Sequence, residues 1–167
     1  MASWVHDDEG SHFSLQNLPY GIFSTEASPA RVGVAIGEHV LDLKVLAEGG
    51  IFDDLDFDVT ALLQPTLNAF AALGRHVQSR VRQRLQDLLK EDTEFGNVLR
   101  DNHTLRGRAL VRLSSVTMHL PMVIGDYTDF FVGLHHAVTV RVILVEPTYL
   151  GLTLELVRRY LEARSDN

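Results

Sequence analysis

RVGVAIGEHVLDL, residues 31–43, is the stretch on which the fold turns. Val32, Val34 and Ile36 alternate with the small residues Gly33 and Ala35, the period of two that sorts side chains onto opposite faces of a strand. Gly37-Glu38 then predicts a two-residue turn, because glycine reaches the positive φ that a tight hairpin needs. The return strand, residues 39–43, sets His39, Leu41 and Leu43 on one face and Val40 and Asp42 on the other. Upstream, NLPYG at 17–21 predicts a turn, with Pro19 fixing φ and Gly21 tolerating left-handed geometry. Ile22 and Phe23 begin another short strand, which Ser28-Pro29 interrupts. Short strands with turns at this spacing predict a small open β-barrel or sheet.

Helices follow the strands, which makes the expected class α+β. Pro65 and Thr66 open the clearest one. Leu67, Phe70, Ala71, Gly74, Val77, Val81, Leu85 and Leu88 recur at three- and four-residue steps and form one apolar stripe through about Leu89. Arg75, Arg80, Arg82 and Arg84 lie off the stripe and read as a solvated basic face, with His76 structural. Asp101 or Asn102 caps a second, shorter helix carrying Leu105, Ala109 and Leu110. Between the two regions, Asp53, Asp54, Asp56 and Asp58 read as a solvated acidic loop. They lack the regular ladder and closing glutamate of a calcium loop. Residues 1–11 read as a loose polar lead-in.

The bulk composition narrows the functional classes. With 167 residues, 46% of them hydrophobic, the chain can build a core, so wholesale disorder is not expected. Fifteen basic residues against 22 acidic ones give a net charge of −7, the wrong sign for a nucleic-acid partner. No cysteine occurs, which excludes disulfides, zinc-thiolate sites and a thiol nucleophile from this sequence. MASWVHDDEGSHF is acidic rather than basic-then-apolar, so it does not read as a secretory signal, and no apolar run is long enough to span a bilayer. A soluble, cytoplasmic protein without a membrane partner is the expectation.

The densest chemistry lies at MHLPMVIGDYTDFFVGLHHA, residues 118–137. An apolar lead, Met122-Val123-Ile124, delivers Asp126, Tyr127, Thr128 and Asp129, followed by His135 and His136. Carboxylates suit hard divalent cations, and a histidine takes a proton near neutral pH. Asp129 and His136 thus suit a metal ligand and a general base. On spacing alone the bland alternative stays open, an Asp- and Thr-rich turn followed by surface histidines.

IGDYTDFFVGLHHA at 124–137 resembles the signature of the fumarylacetoacetase family. LQNLPYGIFS at 15–24, GVAIGEHVLDL at 33–43 and QPTLNAFAALGR at 64–75 resemble the same family in the same order. The likeness runs to about Val140. The family's chain is more than twice as long as this one.

The resemblance implies a small SH3-like open β-barrel with packed helices over residues 1–115, the start of a β-rich catalytic domain over 116–140, and an unmatched tail over 141–167. It also implies hydrolysis of a carbon–carbon bond in a diketo acid, 4-fumarylacetoacetate, to fumarate and acetoacetate during tyrosine and phenylalanine catabolism. Carried over by residue, Asp129 is a ligand of Ca²⁺ or Mg²⁺, His136 is the base that takes a proton from water, and Phe131 meets the substrate where tyrosine is frequent. His135 is a neighbour, and Asp126 and Tyr127 carry no assigned step. The family's further carboxylates, its lysine and arginine, and the glutamate that orients the base come from its longer C-terminal portion. The family is homodimeric through parts expected to be missing here. The expectation is therefore a truncated chain, inactive alone. The alternative is a non-catalytic interaction or regulatory module built on the N-terminal barrel.

Overall fold

The computed structural model describes residues 2–5, 11–126, 133, 135 and 136. The chain divides into two compact units, Met1–Val123 and Ile124–Asn167. The first contains five strands: β1 (Tyr20–Thr25), β2 (Ser28–Ile36), β3 (His39–Asp42), β4 (Leu110–Arg112) and β5 (Thr117–His119). They form an antiparallel sheet in the order β4-β3-β2-β1-β5. The sheet is open, with β4 and β5 at its edges, and does not close into a barrel among the described residues. The expected α+β class holds, with helices α1 (Leu43–Glu48), α2 (Asn68–Ala72), α3 (Gly74–Leu89) and α4 (His103–Ala109). β5 lies beyond Val116, where the sequence reading places its first boundary, and joins the sheet by pairing Ile22 with His119 and Ser24 with Thr117.

The hairpin forms as read. Ile36 pairs with His39 across Gly37-Glu38, and Gly37 takes a φ of 52°. Alternation sends Ile22, Val32, Val34, Ile36 and Leu41 into the main core, where they meet Val81, Leu85, Leu88 and Leu89 of α3. The other face is also covered, by means the pattern does not advertise. Phe23 is fully buried there, with the Arg31 guanidinium 4.3 Å from its ring centre. Arg31 in turn pairs with the buried Asp42 at 2.5 Å. Asp42 also accepts from the amides of Lys44 and Val45, so one carboxylate both neutralises Arg31 and caps α1. Gly33 makes this layer possible. A Cβ there would sit 2.5 Å from Val40 Cγ1 and 2.7 Å from Phe23 Cε1.

Several local readings change. Ser28-Pro29 does not interrupt a strand but begins β2, where Ser28 pairs with Thr25 beside a register irregularity. Proline is tolerated at a strand's start because the lost N–H leaves the later ladder intact. In the 17–21 turn the positive φ falls on Leu18, at 36°, whereas Gly21 lies within β1. Leu18 is fully buried, its amide donates to Ser14 O and its carbonyl accepts from Arg82. Packing thus holds a conformation that a leucine rarely adopts.

The single helix expected from Pro65 breaks into α2 and α3. Gly74 has a φ of 81°, incompatible with a continuous α-helix, and Ala71 and Gly74 of the predicted stripe are exposed. Nor is the arginine face merely solvated. Arg82 donates to the carbonyls of Asn17 and Leu18, while Arg84 donates to Ile51 O and both oxygens of Asp54. Arg84 thereby holds the Asp54 carboxyl below the usual carboxylate range, and Thr60 does the same for Asp58. The acids of the 53–58 loop therefore include one tethered to α3 and one capping the 3₁₀ turn Val59–Leu63. Asn102, one of the two cap residues offered by the sequence, caps α4 by accepting from the Leu105 amide.

The lead-in, expected to be loose, is anchored at residues 2–5. Trp4 Nε1 donates to Leu88 O at 2.8 Å, and Ser3 Oγ donates to Leu89 O at 3.0 Å. These are carbonyls of the last turn of α3, which has no further helical turn to satisfy them.

Tyr20 provides a pH-dependent signature of this packing. Burial pushes its phenol up to about 12, against the opposing pull of the Arg82 guanidinium. The folded chain therefore keeps a proton that the unfolded chain gives up near pH 10. This contribution to stability is complete below pH 10 and is lost as pH rises from 10 to about 12. Phenolate absorbance should show a late phase with a midpoint near 12. Tyr20→Phe should remove that phase, and an unchanged late phase in the variant would assign it to another tyrosine.

Candidate functional site

The chemically dense stretch is reached through β5, and the first unit holds its approach at four points. β5 hydrogen-bonds along β1. His119 Nε2 lies 2.8 Å from Ser24 Oγ. Beyond the strand, the Leu67 amide donates to Pro121 O at 2.8 Å, and Asn68 grips Val123 from both sides. Its Nδ2 donates to Val123 O, and its Oδ1 accepts from the Val123 amide, each at 2.9 Å. A side-chain amide carries one donor and one acceptor in the same plane, so it can imitate a strand neighbour for one residue. Asn68→Ala should lower the hydrogen-exchange protection of the Val123 amide about fivefold, equivalent to about 1 kcal/mol for a hydrogen bond. Unaltered exchange would show that Pro121 and β5 alone fix the segment.

Nothing in the helical pattern marks Asn68 for this role. It sits on the polar side of α2, and its partner lies 55 residues later. A polar residue off an apolar stripe reads simply as solvated.

The same approach is conspicuously apolar. Met118 is 54% exposed, Leu120 78% and Val123 70%. Such side chains in sequence proximity mark a surface that another element usually covers.

In the second unit, Ile124, Gly125 and Asp126 are exposed, and so are His135 and His136, which lie in a helical turn. Asp129 and Phe131, the expected metal ligand and substrate contact, lie outside the described residues. No relation between either of them and His136 is therefore described. Among the described residues no group of three or more His, Cys, Asp or Glu side chains is placed to hold a metal ion. Ca²⁺ takes six to eight oxygens, so Asp126 and the two histidines do not make a site for it. Among the described residues no helix is long and apolar enough to cross a membrane.

Comparison with known proteins addresses the same stretch of chain. Residues 16–121 match the family model described as "Fumarylacetoacetase N-terminal". This chain belongs to that family. The match takes in all five strands and the four helices of the first unit, ending at Pro121, where Leu67 grips the chain. Among its relatives is a fumarylacetoacetase of Aspergillus fumigatus, 47% identical over 151 residues, which cover 88% of this chain and 35% of the relative. A Caenorhabditis elegans fumarylacetoacetase is 49% identical over 145 residues, 85% of this chain and 34% of the relative. The Rattus norvegicus fumarylacetoacetase is 43% identical over 141 residues, covering 84% and 33% respectively. The chain thus spans about a third of the length of the curated relatives it matches.

Proposed function

We propose that residues 1–140 are the N-terminal domain and first catalytic segment of a fumarylacetoacetase, which cleaves the carbon–carbon bond of 4-fumarylacetoacetate to give fumarate and acetoacetate. The carrying observation is the family match over residues 16–121 with fumarylacetoacetases 43–49% identical to this chain. The signature at 124–137 supports it from the sequence side. In this reading the open five-stranded sheet is the wall of an SH3-like barrel domain, whose task is to present the catalytic segment. In this reading the protein works in the cytoplasm, and the interface of the family's homodimer lies outside these residues.

His136 takes a proton from water, and the hydroxide attacks a carbonyl of the diketo acid. The bond between the carbonyl carbon and its neighbour breaks, and its electron pair departs as an enolate that is then protonated. Phe131 supplies an apolar contact to the substrate. Asp129 supplies one carboxylate to a Ca²⁺ or Mg²⁺, whose bound role would be to polarise the diketone oxygens. One carboxylate does not satisfy either ion, so these residues alone bind it poorly and turn over no substrate. The exposed Met118, Leu120 and Val123 support this reading, since an apolar surface at the start of the 116–140 segment is one that further catalytic-domain chain would cover.

Calorimetric titration with Ca²⁺ and Mg²⁺ tests the reading. The purified chain should show no binding tighter than about millimolar, the weak end of protein calcium sites, and no turnover of fumarylacetoacetate. Tighter binding that disappears in Asp129→Ala would mean that this chain completes its own site, and the inactivity would have to be abandoned. If a catalytic fragment of a relative regains no metal affinity or activity when supplied together with this chain, the non-catalytic interaction module becomes the better reading.

A further inference from the structure

The break between α2 and α3 opens a cleft of about 410 Å³ on the first unit, within the size range of small-molecule sites. Its apolar walls are Leu67, Phe70, Pro121, Met122 and the ring of Tyr20. Tyr20 and Phe70 lie 5.3 Å apart between ring centres, tilted by 38°, an arrangement favoured by aromatic quadrupoles. The walls are braced from behind: Leu67 N donates to Pro121 O, and Gln78 Nε2 donates to Ala71 O at 3.0 Å.

The polar part of the lining is one-sided. Arg75 and Arg82 both line the cleft, and among the described residues no carboxylate does. Arg82 is spread over two backbone carbonyls and lies 5.4 Å from the Tyr20 ring centre, with no acidic partner among the described ion pairs. Arg75 is exposed and makes no described ion pair. On a chain of net charge −7, two guanidiniums beside an apolar hollow form a local positive potential. The Tyr20 hydroxyl on the same wall is buried and has no hydrogen-bond partner among the described residues.

We propose that this cleft binds a small aryl carboxylate, the ring seated against Tyr20, Phe70 and Met122 and the carboxylate facing Arg75 and Arg82. Guanidinium and carboxylate match in a planar, two-point fashion that an ammonium does not reproduce. A ring gains from the tilted aromatic pair and from the thioether of Met122. Neither contact needs Asp129 or His136, so the cleft is independent of the fumarylacetoacetase reading.

3-Phenylpropanoate is the probe, followed by amide chemical shifts during titration, with 3-phenylpropan-1-ol as the uncharged control. The acid should bind with about millimolar affinity and shift amides in β1, α2 and the first turns of α3. The alcohol should bind about fivefold more weakly, the scale of an exposed ion pair. Arg75→Glu should weaken the acid by at least that factor and leave the alcohol unchanged. Arg75 is exposed, so the variant is expected to fold, and Met122→Ala should weaken both probes. Asp129→Ala should change neither, which separates this cleft from the metal reading. Equal affinities for acid and alcohol, shifts centred elsewhere, or no shifts at tens of millimolar probe would each overturn the proposal.

Discussion

Asp42→Ala should destabilise the first unit by about 4 kcal/mol, the usual cost of removing one partner from a buried ion pair plus a lost helix cap. The size follows from how many groups rely on one carboxylate. Asp42 is 1% exposed and accepts from Arg31 Nε and from the amides of Lys44 and Val45. Arg31 is 9% exposed over Phe23, and without Asp42 its remaining described polar contact is Pro29 O. A charge left there without a counterion either drags solvent into the Phe23 layer or swings out and uncovers the ring. Asp42→Asn separates the two losses. Its amide oxygen can still cap α1, so about 1 kcal/mol should return while the charge term stays lost. Urea denaturation of the three proteins is the measurement. A loss below about 1 kcal/mol for Asp42→Ala, the scale of a surface pair, would mean that the Arg31–Asp42 contact is dispensable.

Gly33→Ala should cost about 3 kcal/mol, the upper part of the range for overpacking. Glycine in a strand is normally a weakness, and alanine there is normally an improvement. Here the sign reverses because the space is taken. The added methyl would fall 2.5 Å from Val40 Cγ1 and 2.7–2.8 Å from two carbons of the Phe23 ring. Phe23 cannot simply retreat, since Arg31 stacks on it and is itself tied to Asp42. Val40 is the neighbour that can be trimmed. Val40→Ala should lower stability on its own, yet combined with Gly33→Ala it should recover part of the loss, giving a non-additive cycle. A neutral or stabilising Gly33→Ala would show that β2 shifts away from β3 more easily than the packing implies.

The contrast between Gly33 and Gly74 shows how far local sequence reaches. Gly33 reads as a small residue in an alternating strand, and that reading places it in β2. What it does there depends on Phe23 and Val40, which arrive from neighbouring strands. Gly74 sits at a position that fits an apolar stripe, so periodicity runs one helix through it. Its φ of 81° splits α2 from α3 and shapes the cleft instead. Glycine leaves no side chain from which to tell the two cases apart.

By itself the sequence determined the hairpin at 31–43, the α+β class, a cap at Asp101 or Asn102, the apolar face of α3 and the family. These depend on side-chain period, turn chemistry and motif order, which are properties of neighbouring residues. Tertiary structure alone decided that Arg31 meets Asp42, that Arg82 and Arg84 tie loops to α3, that Trp4 closes the end of α3, and that Asn68 grips Val123. Each joins residues from 11 to 84 positions apart. A polar side chain off an apolar stripe looks the same in the sequence whether it meets water or a distant backbone group. The choice is made when the sheet and helices close and each desolvated donor must find an acceptor.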